Sequence, residues 1–191
     1  MGDQSKLVVG ITGASGVIYG IRLLEVLKEI IEVQTHLVIS QAGKKTISLE
    51  TELNIKDISA MADEAYDIDD MTAPIASGSY LTSGMVVIPC SIKSLSAIAN
   101  SYNNNLLIRT ADVTLKERRK LILVPRETPL HLGHLRLMVR AVEIGAVVLP
   151  PIPAFYNQPQ SIQDIIDQTV MRVLDLLKIS PPTELTRRWG G

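Results

Sequence analysis

The sequence predicts an α/β protein of three layers, a parallel sheet with helices on both faces. Two patterns predict it. Short runs that are apolar at every position read as strands buried on both sides, and between them lie longer stretches whose apolar residues recur every three or four positions. That alternation builds parallel strands joined by crossover helices. A third feature is the small-residue stretch Thr12-Gly13-Ala14-Ser15-Gly16, which supplies the tight turn such a sheet needs between its first strand and first helix. At 191 residues with 46% apolar content the chain can bury one sizeable core, so a single domain over 1–191 is expected, irregular from about 181 onward. The pattern fits a Rossmann-like or flavodoxin-like sheet.

Taken in order, Leu7 to Ile11 reads as the first strand, and Val17, Ile21, Leu24, Leu27 and Ile31 mark the inner face of the helix that follows. His36 to Ile39 is the second strand, ending at Ser40, with a half-polar helix over about Ala42 to Glu52. Met85 to Ile88 is the third, closed by Pro89-Cys90-Ser91. Leu121 to Val124 is the fourth and ends at Pro125-Arg126-Glu127; Ala146 to Leu149 is the fifth, after a helix from about Leu132 to Ile144 that Gly145 terminates. Ser161 with Asp164 three residues on has the form of a capping box opening a last helix, Ile162 to Leu177. The stretch Asp57 to Ser83, with its acidic DEAYDIDD and flexible APIASGS, reads as a loop over a site.

Composition removes several function classes. The net charge of -1 arises from 19 basic and 20 acidic residues spread along the chain, which offers no footprint for nucleic acid or an anionic membrane. Cys90 is the single cysteine, and no apolar run approaches the roughly 20 residues of a membrane span. The first residues lack a signal-peptide pattern, and Lys6 stands where myristoylation needs Ser or Thr. A cytoplasmic protein acting on small molecules is expected.

In open parallel sheets ligands bind beyond the carboxyl ends of the strands. Here Gly13, Ala14 and Ser15 follow strand one, and their small side chains let backbone N–H groups approach a phosphate at a helix N-terminus. Ser40 follows strand two, Ser91-Ile92-Lys93-Ser94 follows strand three, and Arg126-Glu127 follows strand four. Each serine taken alone is equally a helix cap. Together they suit a phosphorylated, polar-headed ligand. The turn is not G-x-G-x-x-G and no G-x-x-x-x-G-K-[ST] occurs, which removes support for a dinucleotide or nucleoside triphosphate. His131 and His134 stand three apart without further metal ligands at suitable spacing, so no metal is expected.

The same residues carry a resemblance. TGASG, ASGS at 76–79, PCSIKSLSAIA at 89–99, NNLLIRTADVTLKERRKLILVPRETP at 104–129, FYNQPQS at 155–161 and the terminal RWG resemble, in order, the UbiX/Pad family of flavin prenyltransferases. The resemblance implies transfer of a dimethylallyl group from dimethylallyl monophosphate to N5 and then C6 of reduced FMN. The prenylated FMN would serve a UbiD-type decarboxylase. It also implies a homo-oligomer, trimers packed into a dodecamer, with sites between protomers; the mean hydropathy of +0.21 agrees with extensive burial between copies.

By the same resemblance, Gly13, Ala14, Ser15, Ser40, Ser91, Ile92, Lys93, Ser94 and Arg126 would hold FMN, Ile92 and Lys93 through their backbone. Arg109, Lys116, Arg126, Tyr156 and Arg172 would surround the donor phosphate, a task that suits the paired donors of a guanidinium. Glu50 and Glu127 would be the acid and base, with Ser15 in the proton path, and a carboxylate beside a phosphate is expected to have a raised pKa. Read without the resemblance, Arg109, Lys116, Arg126 and Arg172 are equally compatible with solvated helix charges and Tyr156 with core packing. Where several relatives carry tryptophan ahead of ASGS, this chain has Asp69-Asp70-Met71-Thr72, leaving Met71 as the candidate apolar wall; Trp189 is a candidate to close over a site.

Two other readings share the fold. An FMN-dependent cysteine decarboxylase of the homo-oligomeric class would carry an early catalytic histidine and a PxMNxxMW-like segment, whereas here His36 lies inside a strand. A non-catalytic FMN-binding protein would not need Glu50, Glu127, Tyr156 and Arg172 together.

Overall fold

The computed structural model describes residues 4–186, so Trp189 lies outside it. Along the chain the elements are β1 (Ser5–Ile11), α1 (Val17–Lys28), β2 (Val33–Ile39), α2 (Gln41–Glu50), α3 (Ile55–Ser59), β3 (Glu64–Tyr66), β4 (Gly84–Cys90), α4 (Ile92–Ala99), α5 (Leu106–Lys116), β5 (Lys120–Pro125), α6 (Leu132–Glu143), β6 (Val147–Val148) and α7 (Ile162–Leu177). Short 3-10 turns occupy Pro74–Ala76 and Phe155–Asn157.

The strands form one six-stranded sheet in the order β3-β2-β1-β4-β5-β6, every neighbouring pair parallel. The chain winds outward from β1 in one direction and from β4 in the other, so the topological switch point lies between those two strands. Alternate residues of β1 serve opposite layers. Leu7, Val9 and Ile11 join one core with α1, α7 and Ile47 of α2, while Val8 joins the other with α4, α5 and Ala141 of α6. Both cores are built from fully buried aliphatic side chains, which is why the strands are apolar throughout.

The five expected strands are present, and the sheet has a sixth. β3 falls inside the stretch expected to be a loop, pairing at the edge with β2 over His36↔Glu64 to Val38↔Tyr66. Glu64 and Ala65 are exposed, as an edge strand allows, so no apolar run marks them. Helix α7 opens on the expected capping box, Ser161 accepting from Asp164 N while the Asp164 carboxylate accepts from Ser161 N. Among the described residues no helix is long and apolar enough to cross a membrane.

Candidate active site

The carboxyl ends of β1 and β4 are tied by Thr12, a buried residue at the strand exit. Its hydroxyl donates to Pro89 O at 2.7 Å and accepts from Ser91 N at 2.7 Å. The two loops at the switch point therefore keep a fixed separation. On the other side of the turn, a side chain at Gly13 would collide with the Ala42 methyl, so α2 can start hard against the turn only because Gly13 has none. Gly16 then adopts a left-handed conformation, φ 99°, and α1 begins.

No side chain of the turn itself caps α1. Glu50, from the last position of α2, does so: its Oε2 accepts from Gly16 N at 2.8 Å and Val17 N at 3.1 Å. Burial pushes this carboxyl up, but the Ser15 hydroxyl, the two backbone N–H groups and the charge of Arg126 outweigh it and hold the carboxyl below its usual range. The expected rise is therefore reversed for Glu50 by the donors the chain itself provides. Arg126, at the exit of β5, acts electrostatically on Tyr19 of α1 as well as on Glu50. Ser15, Glu50 and Arg126 thus meet at the ends of β1, α2 and β5.

Ser40 caps α2, accepting from Gly43 N at 3.0 Å, and Ser91 caps α4, accepting from Ser94 N at 3.3 Å while donating to the Ser94 hydroxyl at 3.1 Å. These serines are caps, as their position alone suggests, yet each remains part-exposed at the sheet end. Ile92 is partly buried and Lys93 is exposed. Lys93 and Ser94 also line a cavity of about 520 Å³ with Asn100, Asn104 and Asn105. Glu127 is exposed beside Arg126, its Oε1 accepting from Thr128 N at 3.1 Å. Met71 is 44% exposed.

The remaining candidates fall into two groups with the sheet between them. Arg109 and Lys116 lie on α5, in the layer of α4 and α6. Arg109 Nε donates to Ala76 O at 3.1 Å, and Lys116 pairs with Glu117 against Gly78, where any side chain would run into both head groups. The ASGS segment is held there by Arg119, whose guanidinium donates to Gly78 O at 2.6 Å and Tyr80 O at 2.9 Å.

Tyr156 and Arg172 lie on the α1 and α7 side, lining a cavity of about 680 Å³ with Leu149, Pro150, Gln168 and Met171. Buried Gln168 fixes the tyrosine-bearing loop, its side-chain amide exchanging hydrogen bonds of 2.7 and 3.1 Å with both backbone groups of Ala154. Arg172 pairs with Asp175 at 3.0 Å.

Sequence reasoning missed Thr12, Arg119 and Gln168. Their signal is faint: a threonine at a strand exit, one arginine within a charged run, and a glutamine on the helix face it shares with Arg172 and Asp175. His131 is the cap of α6, accepting from Gly133 N at 3.0 Å, and among the described residues no group of three or more ligands could hold a metal. Cys90 is buried, which pushes its thiol up to about 12 and keeps it out of the chemistry.

A parallel sheet with a phosphate-suited turn and the Ser15, Glu50 and Arg126 group at its switch point defines a flavoprotein-type binding fold, and the Flavoprotein family model matches residues 1–174. The flavin prenyltransferase UbiX of Escherichia coli K12 is 58% identical over 188 residues, 98% of this chain and 100% of that one. A crystal structure of AnUbiX with FMN and dimethylallyl pyrophosphate superposes with a TM-score of 0.95 at 47% identity, covering 98% of each chain. A dodecameric FMN-dependent UbiX-like decarboxylase from Escherichia coli O157:H7 superposes with a TM-score of 0.94 at 48% identity, covering 97% of this chain and 100% of that one. The chain belongs to the UbiX flavin prenyltransferases of the flavoprotein family.

Proposed function

We infer that this chain transfers the dimethylallyl group of dimethylallyl monophosphate to N5 and then C6 of reduced FMN, and that the prenylated flavin passes to a UbiD-type decarboxylase. The observation that carries the reading is the meeting of Ser15, Glu50 and Arg126 at the switch point of a chain that matches prenyltransferases from end to end.

The residues at the strand ends fit FMN. A turn that excludes a side chain at Gly13, the part-exposed hydroxyls of Ser40, Ser91 and Ser94, and Arg126 offer small surfaces and donors to a phosphate and a polar ring edge. Reduced FMN, when bound, supplies the nucleophilic atoms that accept the allyl carbon. The chain must stabilise the departing phosphate and move protons. Arg109, Lys116, Arg126 and Arg172 provide the positive charge, which lowers the barrier most where water is excluded, and Tyr156 adds a hydroxyl donor. Glu127 is assigned the proton exchange at the reacting edge. Glu50 relays through the Ser15 hydroxyl that already contacts it.

Because the sheet separates Arg109 and Lys116 from Tyr156 and Arg172, the donor site closes between protomers of an assembled protein. The dodecameric state of a relative with the same fold supports this. Direct decarboxylation of an aromatic acid would leave these cations without a purpose. Phosphate release tests the function: under anaerobic conditions, dimethylallyl monophosphate should yield inorganic phosphate with reduced FMN and none with oxidised FMN. Release independent of the flavin would refute the reading.

A further inference from the structure

The loop between β6 and α7, residues 149–161, carries Tyr156 and is fixed near both ends: Leu149 N donates to Leu123 O of β5 at 2.8 Å, and Gln160 N donates to the Asp164 carboxylate at 2.7 Å. Between these points Pro150, Pro151, Pro153 and Pro159 offer no N–H. Backbone bonds of the stretch run within it, Ile152 N to Pro150 O and Asn157 N to Ala154 O, the second closing the 3-10 turn that has Tyr156 at its centre. Helix α7 reaches this turn at Ala154. Gln168, only 7% exposed, accepts from Ala154 N with its Oε1 at 2.7 Å and donates to Ala154 O with its Nε2 at 3.1 Å. The match leaves one orientation for the amide, since the flipped group would set donor against donor and acceptor against acceptor. A buried side chain of the helix thus holds the residue that opens the turn by both its backbone groups.

We propose that Gln168 is a positioning residue for the dimethylallyl phosphate site, setting the Tyr156 hydroxyl in register with the Arg172 guanidinium. The inference rests on the reading given above, in which Tyr156 and Arg172 meet the donor phosphate. Arg172 follows Gln168 by four residues and so stands one turn along the same face of α7, and both line the cavity of about 680 Å³ together with Tyr156. Loop and helix are separate supports for a hydroxyl and a cation that must contact one anion. Joining them through Gln168 fixes their spacing before the anion arrives, so binding does not have to order the loop. Tyr156 itself is 60% exposed, so the turn, more than burial of the ring, sets where its hydroxyl stands. Burying an amide is costly unless it is bonded, and both bonds of this one go to the tyrosine loop.

The test measures donor KM, kcat and FMN affinity for the wild type, Tyr156→Phe, Gln168→Met and the double variant, with thermal melts as the folding control. Gln168→Met keeps the length of the side chain and removes both bonds. It should raise KM for dimethylallyl monophosphate about tenfold, the worth of one hydrogen bond to an anion, with kcat and FMN affinity near wild type. In a Tyr156→Phe background the same change should add little, because the hydroxyl it positions is already gone. A Gln168→Met KM equal to wild type, a full additional rise in the double variant, or a parallel loss of FMN binding would make Gln168 a residue of the fold alone and overturn the inference. Tyr156→Phe with an unchanged donor KM would instead overturn the placing of Tyr156 at the phosphate, and this inference with it. Should Gln168→Met not fold, Gln168→Glu carries the same test, since its carboxylate keeps the acceptor for Ala154 N and loses the donor to Ala154 O.

Discussion

Glu50 caps α1 and is also the residue to which the proposed proton relay is assigned. Because its folded-state pKa is depressed, the stability it contributes is complete above the usual carboxylate range and is lost as pH falls through the depressed value. Glu50→Ala should cost about 1 kcal/mol at neutral pH, the ordinary worth of an N-terminal cap, with the gap to wild type narrowing in acid; urea denaturation at two pH values reads both. Glu127 makes the complementary case, since among the described residues its side chain bonds only to its own turn. Glu127→Gln should keep FMN and lose about a hundredfold to ten-thousandfold in prenyl transfer, whereas exposed Lys93→Ala should change little. A Glu127→Gln protein with wild-type turnover would move the proton role to Glu50.

His36 is the third informative residue. It is fully buried in β2, with Nδ1 2.9 Å from the Tyr66 hydroxyl and Nε2 3.3 Å from that of Tyr80. Burial lowers its pKa, helped by Lys6 and opposed by Glu64 and Asp63. The unfolded chain therefore binds the proton more tightly, and stability should fall as pH drops through the ordinary histidine value of 6.5. His36→Gln should flatten that dependence in thermal melts taken across the range; an unchanged slope would contradict the assignment.

Among the elements, the Arg119 clamp determines how Arg109 and Lys116 are presented. Removing it frees Gly78 O and Tyr80 O and loosens the segment against which both cations pack. Arg119→Ala should raise KM for the donor by about tenfold, the loss of one or two charge-assisted bonds, with FMN affinity unaltered and partial recovery in Arg119→Lys. Equal loss of FMN binding would mean general unfolding instead. Such second-line contacts are hard to see in sequence. The buried strands were legible because full burial forces an apolar run, and α7 because its capping box is local chemistry. β3 was not, since three residues on an edge can be polar, and nor was α3, whose five residues are too short for a period. Strand order and the Thr12 bridge depend on pairing between distant segments, which residue spacing does not encode.

At the scale of the whole molecule, the sheet explains why the proposed site residues do not form one site in a single chain. The strand-end group of Ser15, Glu50 and Arg126 came together because those residues follow β1, α2 and β5 at the same end. Arg109 and Lys116 were placed by helix α5 in one layer, and Tyr156 and Arg172 by the loop after β6 and helix α7 in the other. On the proposed reading a second protomer joins them, so activity should fall with any change that dissociates the assembly while leaving the fold intact. The central claim remains that this chain alkylates a flavin. Its most direct measurement is the mass of the flavin recovered after anaerobic incubation of the protein with reduced FMN and dimethylallyl monophosphate: a flavin heavier by one five-carbon prenyl unit is predicted, and FMN of unchanged mass, under conditions where both substrates are bound, would contradict it.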